Sequence, residues 1–482
     1  MKESFHSGYL KPLFKVLVVS SLVSLQADAQ QFSQSVKKFI SVDADTVALV
    51  HATIIDGTGG SIKADQTVMI IKGIISKTGN TTNIKVPPGI TVIDCSGKTI
   101  IPGMVMMHEH LFYGESVPPN YLGLEMPVSF PQLYLAGGVT TMRTTGSVEP
   151  QTDLNIRDNI RDGKMAGPDI DVTGPYIERT GIPIPEMLFI KTPDDATKEV
   201  NYWADMGCTS FKLYMDLTRA DAKAAIDAAH KRGIKVTGHL CSISFHEAAD
   251  LGIDDLEHGF FVSSDFEKDK KEDQCSSGAQ FFSIRQLDEN SLAMKELIQY
   301  LIKKNVAITS TLPVFEPYTG RDIFPGDGGD ALVPEIRDKI EASSKAAVGK
   351  DSSTIVMFKK EMAWEKQFAD MGGRLLAGID PTGAGRVIPG YADRHILELL
   401  VEAGFSLPQA VKICSLNAAQ YLGKDKEIGT IQEGKRADLV LINGDLQKDI
   451  HAVRNTEIVF KNGVGFDSKK IFESQKGMVG LH

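Results

Sequence analysis

The stretch Ile100-Ile101-Pro102-Gly103-Met104-Val105-Met106-Met107-His108-Glu109-His110-Leu111-Phe112 decides how the chain is read. An apolar run leaves a Pro-Gly turn and ends in two histidines spaced i, i+2, which on a strand turns both imidazoles to one face. A strand end built this way can offer two metal ligands together. The same pair can also be two polar residues at a loop mouth, so the surrounding chain has to decide.

On the N-terminal side, residues 46–101 read as short β segments, among them Val47-Ala48-Leu49-Val50, Thr67-Val68-Met69-Ile70-Ile71 and Val92-Ile93-Asp94-Cys95. Turn signals at Asp56-Gly57, Lys72-Gly73 and Pro87-Pro88-Gly89 separate them. Residues 429–466 have the same texture, with Leu439-Val440-Leu441-Ile442 and Ile458-Val459-Phe460. Neither end can close a core alone, so the expectation is one small composite β-sandwich domain from 46–102 and 424–470, behind a leader at 30–45.

Between these ends short apolar strands alternate with helical stretches, the pattern of a parallel α/β fold. Strands are expected at 104–107, 140–143, 170–173, 210–213, 235–237, 255–257, 307–310 and 375–378. Eight such units predict a (β/α)8 TIM-like barrel over 103–423. Helices are expected at 219–232, capped by Thr218 and stopped by Gly233, and at 393–403, stopped by Gly404. An acidic and basic insertion at 263–291 follows the sixth strand and reads as a lid or as a solvated loop.

Active sites of such barrels lie at the carboxyl ends of the strands. Those ends carry His108 and His110 on strand one, Lys212 on strand four and His239 after strand five. His258 follows strand six and Asp380 follows strand eight. A lone buried histidine is usually only hydrogen-bonded, and a strand lysine usually faces solvent. His6, His51, His230, His246, His451 and His482 lack a comparable setting, and His395 reads as helix packing or rim.

With these positions in place, the chain resembles the amidohydrolase superfamily, in particular its imidazolonepropionase-like and prolidase-like branch. The resemblance runs from Val47 to about Phe466. It rests on Ile101-Pro102-Gly103 before His-x-His, Gly138-Val139-Thr140-Thr141, Glu257-His258-Gly259, Ala377-Gly378-Ile379-Asp380, Ser415-Leu416-Asn417-Ala418-Ala419 and Gly429-Thr430-Ile431 through Ala437-Asp438-Leu439-Val440. It implies that His108, His110 and Asp380 bind one divalent ion, that His239 and His258 bind a second, and that a carboxylated Lys212 bridges them. Ligands of this type suit zinc. The implied reaction is hydrolysis of an amide-type carbon–nitrogen bond by a hydroxide bridging the ions, with catalytic Asp380 passing a proton to the leaving amine. The substrate would be a cyclic amide, an N-acyl amino acid or a dipeptide. Rival readings are a deaminase, a phosphoester or lactone hydrolase, or a silent binding protein on the same scaffold. Met106 stands where the family usually has an aspartate, which removes a carboxylate behind the ligands. Tyr214 and Arg143 are the expected substrate-binding residues, for a carbonyl or an anionic group.

Composition fits a small-molecule partner. The 482 residues are 42% hydrophobic and 24% charged, with a formal net charge of −10, so there is no basic footprint for nucleic acid. A homo-oligomer is left open. Lys11 and Lys15 precede an apolar run at 16–25 and the small-x-small site Ala27-Asp28-Ala29. Residues 1–29 therefore read as a cleaved signal peptide of an exported, periplasmic or secreted protein, with no stable membrane insertion after cleavage. The five cysteines, Cys95, Cys208, Cys241, Cys275 and Cys414, are odd in number and scattered. No disulfide framework is expected from them, and Cys208 and Cys241 read as buried thiols.

Overall fold

The computed structural model describes residue 1 and residues 31–480, apart from 118, 180, 181, 183, 277, 322–327, 348–351, 383 and 384. The expected signal peptide lies outside the described residues.

Each of the eight apolar runs contributes to a parallel strand. They are β1 (Met104–Glu109), β2 (Val139–Thr144), β3 (Thr173–Glu178), β4 (Ser210–Leu213), β5 (Lys235–Gly238), β6 (Asp255–Glu257), β7 (Ala307–Ser310) and β8 (Leu375–Ala377). Parallel neighbours need a crossover, and helices supply it. The crossover from β4 to β5 is the helix Arg219–His230, where Thr218 accepts from Asp221 N and the Asp221 carboxylate accepts from Thr218 N. The helix Tyr391–Glu402 follows β8. Helices on the outer side leave the strands buried on both faces, which is why they read as continuous apolar runs.

The parallel strands form a three-stranded and a seven-stranded stretch of sheet. Beside β2 and β3, Ser147 N donates to Gly174 O at 3.1 Å. At the other junction Ile379 N and Asp380 N donate to His108 O at 3.2 and 3.0 Å, tying the end of β8 to β1. The third strand differs from its expected place. A short segment, Asp169–Asp171, pairs with β2, and β3 itself then runs on to Glu178. Gly174-Pro175 occupies a register shift between Thr173 and Tyr176 at the junction, where the missing proline N–H is tolerated.

Both chain ends meet in one nine-stranded sheet. Thr46–Ile54, Lys63–Ile71 and Thr99–Pro102 join Leu439–Ile442 and Thr456–Lys461, with Thr99–Pro102 antiparallel to Leu439–Ile442. Alternation buries Val47, Leu49, Val68, Ile70, Leu439, Leu441 and Phe460 in one cluster. Ala48, Val50 and Met69 meet Ile84, Val86 and Ile90 on another face. The sheet passes the chain to β1 through Gly103, whose N donates to Asp438 O at 2.8 Å. A Cβ there would collide with the Thr140 side chain.

Two excursions leave the carboxyl ends of the strands. Directly after β1 comes an antiparallel hairpin, Phe112–Val117 with Asn120–Glu125. The 263–291 insertion holds the helix Ala279–Gln286. Against the sequence expectation for Cys241, that residue forms a disulfide with Cys275. Thirty-four positions separate the two, so only the fold brings them together. Cys95, Cys208 and Cys414 are buried free thiols. Among the described residues no helix is long and apolar enough to cross a membrane.

Candidate metal centre

β1 ends at Glu109, so His108 lies in the strand and His110 just past it, both fully buried. Each ring has its Nδ1 engaged from behind. His108 Nδ1 lies 2.6 Å from Glu257 Oε2, and His110 Nδ1 lies 3.1 Å from Gly146 O. Such partners fix the tautomer and aim the other nitrogen into the site. His108 Nε2 and His110 Nε2 face Asp380, at 3.7 Å from Oδ2 and 3.5 Å from Oδ1. Ligand atoms of His108, His110 and Asp380 all lie within 4.8 Å of one another.

The other expected residues gather beside this triplet. Lys212 Nζ is 3.4 Å from His108 Nε2. The His258 ring centroid is 4.6 Å from that of His108 and 4.5 Å from that of His239. His258 Nδ1 lies 2.9 Å from Thr311 Oγ1 and 3.8 Å from Asp380 Oδ2. Asp380 and His258 both take positive φ, +50° and +68°. Left-handed backbone costs a non-glycine residue about 1 kcal/mol or more and is concentrated at functional sites. Two such residues facing one another mark this end of the strands.

Burial sets the charge states. It holds His108, His110 and His258 well below the usual imidazole range and, with the nearby lysine charge, brings His239 down to about 3. All four rings are therefore neutral donors at pH 7. Burial also lowers the Lys212 amine to about 8, an effect that Glu257 and Asp380 partly oppose. The Asp380 carboxyl is raised by burial, against the pull of Lys212 and Thr382. Four neutral imidazoles, one carboxylate and an amine close to deprotonation suit divalent cations.

Tyr214, next but one to Lys212, stands with its ring 5.0 Å from that of His239. Arg143 has a different place from the one expected. It is 1% exposed, and its guanidinium donates to Asp255 Oδ2 at 2.7 Å, Glu257 Oε1 at 2.8 Å and Met107 O at 2.9 Å. These buried carboxylates hold it inside the strands, where no substrate anion can reach it. Through Glu257 it steadies His108. His395 lies between Glu316 at 2.6 Å and Glu398 at 2.5 Å, joining the turn after β7 to the helix after β8.

Sequence reasoning missed Tyr176, whose hydroxyl is 3.3 Å from His110 Nε2, because it ended the third strand at Thr173. It also missed Thr382, whose hydroxyl donates to Asp380 Oδ1 at 2.6 Å. The usable signal for Thr382 was a hydroxyl two residues after a candidate ligand, a spacing common in turns.

Comparisons with known proteins agree with this arrangement. A family model described as the amidohydrolase family matches residues 335–469. The chain is 23% identical over 309 residues to the enamidase of Eubacterium barkeri, covering 58% of this chain and 73% of that protein. It is 23% identical over 421 residues to the imidazolonepropionase of Legionella pneumophila, covering 82% and 91%. The chain thus resembles amidohydrolases over most of its length, with the family match itself lying in residues 335–469. A solved structure of a Xaa-Pro dipeptidase with bound methionine in the active site superposes on this chain with a TM-score of 0.64 at 19% identity, covering 88% of this chain and 100% of that one. At that identity the likeness carries the fold alone.

Proposed function

We propose that the protein is an exported, metal-dependent amidohydrolase that cleaves a carbon–nitrogen bond of amide type in a cyclic amide, an N-acyl amino acid or a dipeptide. One observation carries this reading: the ligand atoms of His108, His110 and Asp380 converge with the Lys212 amine beside them. The reaction class agrees with the enamidase, imidazolonepropionase and Xaa-Pro dipeptidase named among its relatives. We read the parallel strands as a closed (β/α)8 barrel, supported by the backbone bonds at both junctions. The shared core of the nine-stranded sheet supports a sandwich. Export fits the Cys241–Cys275 disulfide, since such bonds persist in oxidising compartments.

His108, His110 and Asp380 would hold one divalent ion and His239 and His258 a second, with zinc favoured by the donor types. When bound, such ions polarise a substrate carbonyl and acidify a water. Lys212 would bridge them as a carbamate. With its amine brought down to about 8, a free-base fraction exists at neutral pH, and its nitrogen can add to carbon dioxide with loss of one proton. Asp380, raised by burial, is suited to hold a proton. Thr382 engages its Oδ1, which leaves Oδ2 to pass that proton to the leaving nitrogen. The Tyr214 hydroxyl, kept protonated by burial, would donate to a substrate carbonyl or carboxylate.

Screening dipeptides, N-acyl amino acids, hydantoins and lactones with zinc-loaded protein tests the reading. Amide turnover is expected, lost in Lys212→Ala and partly restored by short carboxylic acids. Turnover of lactones or phosphoesters alone, or deamination, would replace it.

A further inference from the structure

The hairpin after β1 makes contacts that no step above uses. It starts two residues beyond His110, and the Phe112 ring lies 4.7 Å from the His110 ring. From there it reaches across to the chain that follows β8. The Tyr121 hydroxyl donates to Thr382 O, and the Tyr113 hydroxyl donates to Gly385 O at 3.1 Å. Both contacts depend on glycine. A Cβ on Gly114 would collide with the Tyr121 hydroxyl, and one on Gly385, at φ +69°, would collide with the Tyr113 hydroxyl. Thr382 faces two ways: its carbonyl accepts from Tyr121, and its own hydroxyl donates to Asp380 Oδ1. Asp380 needs such support because its backbone is left-handed.

We infer that Tyr121 and Thr382 form a relay from the hairpin to Asp380, and that Tyr121 is a positioning residue for the hydrolysis proposed above. Tyr121 fixes the Thr382 peptide, and the fixed Thr382 hydroxyl keeps Asp380 Oδ1 in place. The hairpin, rather than the charged 263–291 insertion, is the cover that acts on the chemistry. The relay rests on the proposed function for its kinetic consequence but not for its structural one.

The test compares Tyr121→Phe, Thr382→Val, Thr382→Ser, Gly114→Ala and the double variant Y121F/T382V in the full-length mature protein. With a substrate found by the screen, Tyr121→Phe should lower kcat about tenfold with KM within about twofold, since the residue does not touch substrate. Thr382→Val should cost ~10–100-fold, as loss of a partner behind a ligand does, and Thr382→Ser should recover most of that. The double variant should fall no further than Thr382→Val, and Gly114→Ala should resemble Tyr121→Phe. Hydrogen exchange supplies a readout free of activity: Tyr121→Phe should speed exchange at residues 379–382 and 385–388 with the melting temperature lowered by only ~1–2 °C. A rise in KM alone, additive losses in the double variant, or unaltered exchange would each overturn the relay. If no substrate is turned over, the functional reading fails while the exchange experiment still decides the relay.

Discussion

The hairpin after β1 and the insertion after β6 both leave the ligand-bearing ends of the strands, yet they are secured by different chemistry. The insertion is held covalently by Cys241–Cys275. Lys270 adds to this by donating to Cys241 O at 2.9 Å and Ser242 O at 2.8 Å, and Asp265 by accepting from Phe245 N at 2.8 Å. The hairpin is held across the site by two tyrosine hydroxyls on backbone carbonyls. Hydrogen bonds of that kind contribute about 1 kcal/mol each and can open and reclose, whereas a disulfide cannot. The segment whose charge suggests a lid is thus the fixed one. The segment with little charge is held across the site by hydrogen bonds alone.

Substitutions in each region test this contrast. The largest effect is expected at the shared floor of both segments: Lys212→Ala should lower turnover by ~100-fold or more, whatever the state of either cover. Next, replacing Cys241 and Cys275 together by serine should destabilise the protein by about 3–4 kcal/mol in denaturant unfolding, the chain-entropy value for a loop closed over 34 residues. It should also expose 263–291 to protease. If stability and protease resistance were unchanged, the insertion would not depend on its staple. Tyr113→Phe should cost about 1 kcal/mol and loosen the hairpin in hydrogen exchange while leaving the insertion protected. Loosening of both segments together would remove the distinction.

A pH dependence is expected away from either cover. Contacts with Glu316 and Glu398 outweigh burial and raise His395 to about 10. A raised histidine contributes stability that is complete below its unfolded value, near 6.5, and is lost as pH climbs through about 10. Thermal unfolding of His395→Gln should therefore lose more relative to the parent at pH 6 than at pH 10. Equal losses at both would contradict the pairing.

Much of this arrangement is legible in the sequence because strand ends are punctuated. Met104 to Met107 runs into His108, and Gly378-Ile379 runs into Asp380, so reading only the residues after apolar runs selects side chains that the fold brings together. What escaped depends on partners remote in the chain. Arg143 looks like an anion receptor until Asp255 and Glu257, more than a hundred positions away, are seen to enclose it. Glu257 stands in a motif, but its bond to His108 is a fact of two strands meeting. Gly174-Pro175 hid the continuation of β3 and with it Tyr176. The hairpin went unread because glycines replace side chains at Gly114 and Gly123, which weakens the alternation that marks strands.

In the proposed centre one cluster of side chains cages a pair of cations. Elemental analysis of the purified protein, set against Lys212→Ala, is the decisive check. Close to two divalent ions per chain are expected in the parent and about one or fewer in the variant. A single ion in both, with turnover preserved in the variant, would contradict the bridged centre.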